Sequence, residues 1–283
     1  MPQQLRMGIS PCPNDTFIFG GLYLGLVPCP AGELFFRLGD VEELNGWAAA
    51  GGPDVCKVSV AAAAELLDEY VLLRAGGAMG RGVGPILAVE RDAGLKDVSG
   101  KVAVPGLRTT ATLLFSLLAD EHGLDVELVE MVYSEVMDAV QSGVVKAGVV
   151  IHEGRFVLSQ HGLAPLVDLG EWWERHSGLP LPLGCIVARR SLGAEKLAAL
   201  DAAIQASLDL AHADRNLIWP FVLRHAQELD QEVIKAHIRT FVTEYSREVG
   251  LEGEKALAAL LHKAAQHSGM RLPDLPLVRP ASI

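Results

Sequence analysis

Residues 8–21 read GISPCPNDTFIFGG, and in them an apolar strand-like run passes through a stiff polar corner into an apolar helix-like one. The strand spans Leu5–Ser10. Pro11 and Pro13 then fix φ and withdraw two backbone donors, so pairing on a central strand cannot continue through them. Helical character resumes over Thr16–Leu26. A strand that ends in such a corner and re-enters as a helix is the βα junction of an α/β protein. Ligands of open α/β sheets bind beyond the carboxyl ends of the strands, the position held here by Ser10, Asn14, Asp15 and Thr16.

Outward from this junction the alternation repeats. Strands are predicted over Leu34–Leu38, Val55–Ser59, Tyr70–Arg74, Gly84–Val89, Lys101–Val104, Glu127–Val132, Ala147–Ile151, Pro165–Val167 and Leu183–Ala188. Helices fall between them over Val41–Ala50, Val60–Tyr70, Thr109–His122, Ser134–Ser142 and Gly170–Ser177. This order implies parallel βαβ units and an α/β fold. From Ser191 the pattern turns helical, ending in an irregular tail with Pro273, Pro276 and Pro280. Two Gly- and Pro-rich runs, residues 74–91 and 177–190, each end in a strand. The first is not a dinucleotide loop, because a strand and not a helix follows its glycines; it reads as a mobile connection. Together the runs read as the crossovers of a double hinge. The larger, discontinuous α/β lobe is then 1–89 plus 190–283, carrying the C-terminal helices, and the smaller α/β lobe is 90–189.

Half of the 283 residues are hydrophobic and 21% are charged, with a formal net charge of −11. Such an acidic chain is a poor fit for nucleic acid or an anionic membrane. An anionic ligand has to be held by local positive potential. No apolar run approaches the ~18 residues of a membrane span, and the first residues lack the features of a secretory signal, so a cytoplasmic protein is expected. Cys12, Cys29, Cys56 and Cys185 are widely spaced without a C-x-x-C pair, and read as reduced thiols.

Three further strand ends carry polar residues. Lys57 and Ser59 close one strand, Ser59 in position to cap the helix that follows. At another, Gly106 allows a turn and Arg108, Thr109 and Thr110 open a helix, whose free N–H groups and about half a positive charge suit an anion. Thr109 reads equally well as a plain N-cap. At the third, the stretch AGVVIHEGRF delivers His152 and Glu153, and an imidazole held there suits acid–base chemistry. The other eight histidines read as structural, Trp172 and Trp173 as packing. No second residue has metal-ligand spacing to His152, so no metal is expected.

The motifs SPCPNDTFIF, DVEELN, KVS, GGAMGRGVGP, VPGLRTTATLL, IHEGRF and DLGEWWERHSGLPLPLG together resemble the 1,4-dihydroxy-6-naphthoate synthase family of the futalosine route to menaquinone. The resemblance runs from Arg6 to Arg190 and more diffusely down the helical tail. It implies a two-lobed type II periplasmic-binding-protein-like fold with a double hinge and an interlobe cleft. It implies a lyase that converts cyclic dehypoxanthinyl futalosine into 1,4-dihydroxy-6-naphthoate with no organic cofactor and no metal. By position, the family's proton-accepting histidine falls on His152. Its substrate-binding Lys-x-Ser segment falls on Lys57, Val58 and Ser59, and its threonine pair on Thr109 and Thr110. Asn14, Thr16 and Arg108 join them as binding residues from the corners themselves. The expected partner is a small carboxylate substrate, with no nucleic acid and no membrane, for a monomer or homodimer. Two rival readings are chorismate dehydratase of the same route and a non-catalytic solute-binding protein. The Ser-Pro-Cys-Pro-Asn-Asp-Thr corner resembles the synthase and not the dehydratase. The absent export signal and the histidine at a strand end speak against the binding protein.

Overall fold

The computed structural model describes residues 4–90, 93–152, 154–227 and 230–281. Its strands are β1 (Gln4–Ile9), β2 (Glu33–Leu38), β3 (Val55–Ser59), β4 (Tyr70–Leu72), β5 (Ala78–Gly80) and β6 (Ile86–Glu90), followed by β7 (Gly100–Val104), β8 (Val126–Glu130), β9 (Ala147–Val150), β10 (Leu163–Asp168) and β11 (Leu181–Arg189). The helices are α1 (Pro13–Tyr23), α2 (Val41–Ala49), α3 (Val60–Ala63), α4 (Thr110–His122), α5 (Val136–Gln141) and α6 (Gly154–Val157). They continue with α7 (Leu169–Ser177), α8 (Gly193–Ala213), α9 (Trp219–His225), α10 (Gln231–Phe241), α11 (Glu244–Arg247) and α12 (Gly250–His267). Among the described residues, no helix is long and apolar enough to cross a membrane. The elements form two compact units, Met1–Gly80 with Pro182–Ile283, and Arg81–Leu181. The sequence reading has these divisions at 89/90 and 189/190.

The first unit holds a six-stranded sheet in the order β2-β1-β3-β11-β4, with β5 beside β11. The second holds a five-stranded sheet in the order β10-β6-β9-β7-β8. Purely parallel βαβ units are not what forms. β1 runs parallel to β2 and β3, and β7 to β8 and β9, but β11 is antiparallel to β3 and β4, and β6 to β9 and β10. The parallel members are those joined through crossover helices, which return the chain to its starting end. β6 and β11 follow the segments where the chain passes between units, and no such helix sets their direction.

In the first unit Leu5, Met7 and Ile9 of β1 pack on Phe17 and Ile18 of α1 and on Ile204 and Leu208 of α8. The second unit has its own core, in which Ala88, Ala103 and Val150 meet Val136 and Val140 of α5. Each fully buried Val, Leu, Ile or Phe contributes about 1.5–3 kcal/mol relative to exposure.

Local chemistry moves three expected boundaries. α1 begins at Pro13 and not at Thr16, because a first-turn proline loses no hydrogen bond and presets the helical φ. The helix read over 60–70 is only the four residues of α3 and a 3-10 turn. The glycine run, read as a connection, includes the short strand β5, entered through Gly76 at φ +85. A Cβ there would stand 2.7 Å from Ile186 and 2.8 Å from Phe19. The proline-rich tail is irregular but docked. Leu72 and Arg279 amides bond the Leu277 and Leu72 carbonyls at 3.0 and 2.8 Å, closing the β4 edge of the sheet.

Candidate functional site

In the second unit β8, β7 and β9 are parallel neighbours, so their carboxyl ends lie along one edge of the sheet. β7 leads through Pro105 and Gly106, the latter at φ +134 where only glycine is at ease, into α4. Thr109 is the N-cap. Its hydroxyl accepts the Thr112 amide at 3.2 Å and donates to the Gly106 carbonyl at 2.8 Å. The Thr112 hydroxyl, 3.0 Å away, reaches the same carbonyl at 2.6 Å. Thr109 thus caps the 13-residue helix, and what the helix presents beyond the cap is the backbone of its first turn. Thr110 is buried beside it, and Arg108 is exposed in the preceding turn.

β9 delivers His152 to the same edge. It is the one non-glycine among the described residues with positive φ, at +56. Its half-buried ring meets Tyr133, which follows β8, edge-on at 4.9 Å between centroids. Glu153 lies outside the described residues.

In the first unit the carboxyl ends of the parallel neighbours β1 and β3 bring together the opening corner and the Lys-Val-Ser segment. Asn14, Asp15 and Thr16 stand in the first turn of α1, not in a loop before it. The Asp15 carboxylate accepts from the Ser10 amide (3.1 Å) and hydroxyl (2.8 Å), from the Asn14 amide group (2.8 Å) and from Lys57 Nζ (2.5 Å). Side-chain exposure is 1% for Asp15 and 7% for Lys57, so both charges are withdrawn from water and matched to each other. Lys57 also donates to the Gly76 carbonyl at 3.4 Å. Asn14 Oδ1 lies 3.0 Å from Nε2 of the buried His237 on α10. Thr16 has no exposed surface, and its hydroxyl donates to the carbonyls of Cys12 (3.1 Å) and Pro13 (3.3 Å).

Ser59 precedes α3 without capping it through its side chain. Instead Asn45 of α2 holds it, accepting the Ser59 amide at 2.9 Å and donating to its hydroxyl at 3.2 Å. Val58 is fully buried between them in sequence.

Sequence reasoning did not single out Asn45, Thr112, Tyr133 or His237. Two had a signal: Asn45 sits within DVEELN beside the buried Leu44, and His237 falls in the buried stripe Ile234, Ile238 and Phe241 of α10. A cavity of about 310 Å³ in the first unit is lined by Glu65, Asp68, Glu69 and Tyr70 among others. None of the sequence candidates lines it, and its sign is wrong for a carboxylate. None of the four cysteines is in a disulfide. Burial pushes the Cys185 thiol up to about 12 and the Cys56 thiol higher still, so neither is a nucleophile at neutral pH. Trp172 and Trp173 are buried on α7, donating to Glu121 (2.8 Å) and the Pro180 carbonyl (3.1 Å).

Residues 5–266 match the family described as menaquinone biosynthesis. A Thermus thermophilus protein named 1,4-dihydroxy-6-naphthoate synthase is 47% identical over 273 residues, 96% of this chain and 97% of its own. A Streptomyces coelicolor protein of the same name is 46% identical over 265 residues, 92% of this chain and 93% of its own. Among solved structures, a protein from Archaeoglobus fulgidus matches with a TM-score of 0.86 at 30% identity, covering 94% of this chain and 98% of its own. The periplasmic aliphatic sulphonate binding protein of Escherichia coli matches with a TM-score of 0.66 at 13% identity, covering 100% and 96%. The fold is thus the α/β, two-lobed, periplasmic-binding-protein-like one.

Proposed function

The chain belongs to the menaquinone-biosynthesis family, and from that premise we propose that it is a carbon–carbon lyase converting cyclic dehypoxanthinyl futalosine into 1,4-dihydroxy-6-naphthoate. Its curated relatives are synthases, so the chain is an enzyme; the substrate and the chemistry are our reading. The single observation that carries it is His152, held in a left-handed backbone conformation at the same sheet edge as the start of α4. Non-glycine residues rarely take that conformation, and those that do cluster at functional sites.

In this reading His152 takes the proton from carbon whose loss accompanies fragment release and aromatisation. Tyr133 holds the ring from its edge. The aryl carboxylate rests at the start of α4, where Thr109 fixes the first turn, Thr110 lines it and Arg108 adds local positive charge in a chain whose net charge is −11. Lys57, Val58 and Ser59 bind through the end of β3. The Lys57–Asp15 pair and the Asn45 clamp hold that strand end rigid, and Asn14 and Thr16 act by fixing the first turn of α1.

Incubating the purified chain with cyclic dehypoxanthinyl futalosine and following the mixture by mass spectrometry tests the reading. The naphthoate is expected. Unchanged substrate in the presence of folded protein overturns it, and consumption of chorismate instead would move the chain to the dehydratase step.

A further inference from the structure

The two edges of the first unit's sheet are treated differently. The β4 edge is closed by the C-terminal tail through the Leu72–Val278 bridge. At the other edge β2, the sequence Glu33-Leu34-Phe35-Phe36-Arg37-Leu38, pairs with β1 alone among the described strands. Its register with β1 runs unbroken over all six residues. Edge strands are ordinarily blunted by charged side chains, proline, a bulge or a cover; β2 carries Glu33 and Arg37 but no proline, and its register with β1 shows no bulge.

The chain's own hydrogen bonds fix which groups that edge offers. The Gly39 amide bonds the Ile9 carbonyl, so the odd-numbered residues of β2 turn their N–H and C=O toward β1. Leu34, Phe36 and Leu38 therefore turn theirs outward. Glu33, Phe35 and Arg37 share the more exposed face, with Phe35 45% exposed and the Arg37 guanidinium laid over the Trp47 ring at 5.0 Å. On the other face Phe36 meets Tyr23, which is 38% exposed, at 5.2 Å between ring centroids.

We propose that β2 is a homodimerisation edge, two copies of this chain joining their sheets antiparallel about a two-fold axis through Phe35. That register sets Leu34 opposite Phe36 of the second copy, each with its outward N–H and C=O toward the other, as a hydrogen-bonded pair requires. It sets Phe35 against Phe35. It also sets Glu33 against Arg37 and, by the two-fold, Arg37 against Glu33. Centring on Leu34 or on Phe36 also satisfies the backbone but leaves both charges without an opposite. The sequence is thus self-complementary in one register, which is the property a two-fold interface needs. The Tyr23 and Phe36 rings add apolar area beside the new seam.

Sedimentation of the full chain from low to high micromolar concentration, at physiological salt to screen its net charge, provides the test. A mass rising to twice that of the chain is expected. Glu33→Arg alone and Arg37→Glu alone each place like charges opposite one another twice, and each is expected to weaken association about tenfold or more. Mixing those two single variants restores complementary pairs in a heterodimer, and the double variant Glu33→Arg/Arg37→Glu restores the homodimer. Phe35→Lys abolishes both. Retained circular dichroism and turnover exclude unfolding, since none of these residues belongs to the proposed catalytic machinery. A wild-type chain that stays monomeric throughout overturns the proposal, as does a dimer indifferent to both charge reversals.

Discussion

His152 separates two demands that usually coincide. An L-residue in the left-handed region costs roughly 1–2 kcal/mol, and asparagine bears that cost best. His152→Asn is therefore expected to fold with a thermal midpoint near wild type while losing about 10²- to 10⁴-fold in turnover, the worth of a positioned base. His152→Val should lose the same activity and in addition about 1–2 kcal/mol of stability, because a β-branched residue fits φ +56 poorly. Wild-type turnover in the asparagine variant would remove His152 from the chemistry. Thr109 makes the opposite case. Its hydroxyl is engaged with Thr112 and Gly106, so Thr109→Val should cost about 1 kcal/mol through the lost cap, and Thr109→Ser should restore it. Urea midpoints of the two variants decide this.

At the scale of elements, the strand ends were legible and their partners were not. β1, β3 and β9 announce themselves as apolar runs stopped by proline, lysine–serine or histidine; in the structure β3 ends on Ser59, while β1 and β9 end on Ile9 and Val150, one and two residues before Ser10 and His152. What periodicity cannot carry is who answers a polar residue across the fold. Lys57 is 42 positions from Asp15, and His237 is 223 from Asn14. The directions of β6 and β11 escaped for the same reason, since strand polarity depends on connections and not on the strand's own residues. The buried pair has a sharp consequence. Lys57→Met strands the Asp15 carboxylate and should cost about 3–5 kcal/mol, whereas Lys57→Met with Asp15→Asn should recover much of it. Arg279 poses a related question at the docked tail, where it pairs with Asp201, a carboxylate that also accepts the Arg74 and Ala75 amides at 2.7 and 2.9 Å. Burial raises the Asp201 carboxyl above its ordinary value, against the lowering influence of Arg279. Arg279→Met removes that influence and raises it further. The native variant then binds a proton that its unfolded chain has already released, so its stability falls as pH rises through that window. The deficit relative to wild type should be largest at neutral pH and shrink in mild acid. A deficit equal at both would mean that the guanidinium acts on packing alone.

The whole chain is two units of unequal independence. Arg81–Leu181 is continuous, closes its own sheet and fills its own core. The other unit is split, and the strand at its middle, β11, arrives only after the chain has passed through the second unit and returned. A fragment of residues 81–181 should therefore unfold cooperatively, followed by Trp172 and Trp173, the two tryptophans it contains. A fragment of residues 1–181 should fold that same unit and fail in the rest, because β3 and β4 lose the strand between them, and α1 loses α8. Cysteine chemistry reads the difference. Cys12, Cys29, Cys56 and Cys185 all belong to the split unit, and in the full chain burial keeps the Cys56 thiol protonated and shielded. In the shorter chain Cys56 should react with a thiol reagent as fast as it does in denaturant, while the tryptophan transition persists. Protection of Cys56 in residues 1–181 would show that the first 80 residues hold together without β11, and the division of labour argued from sheet order would fall.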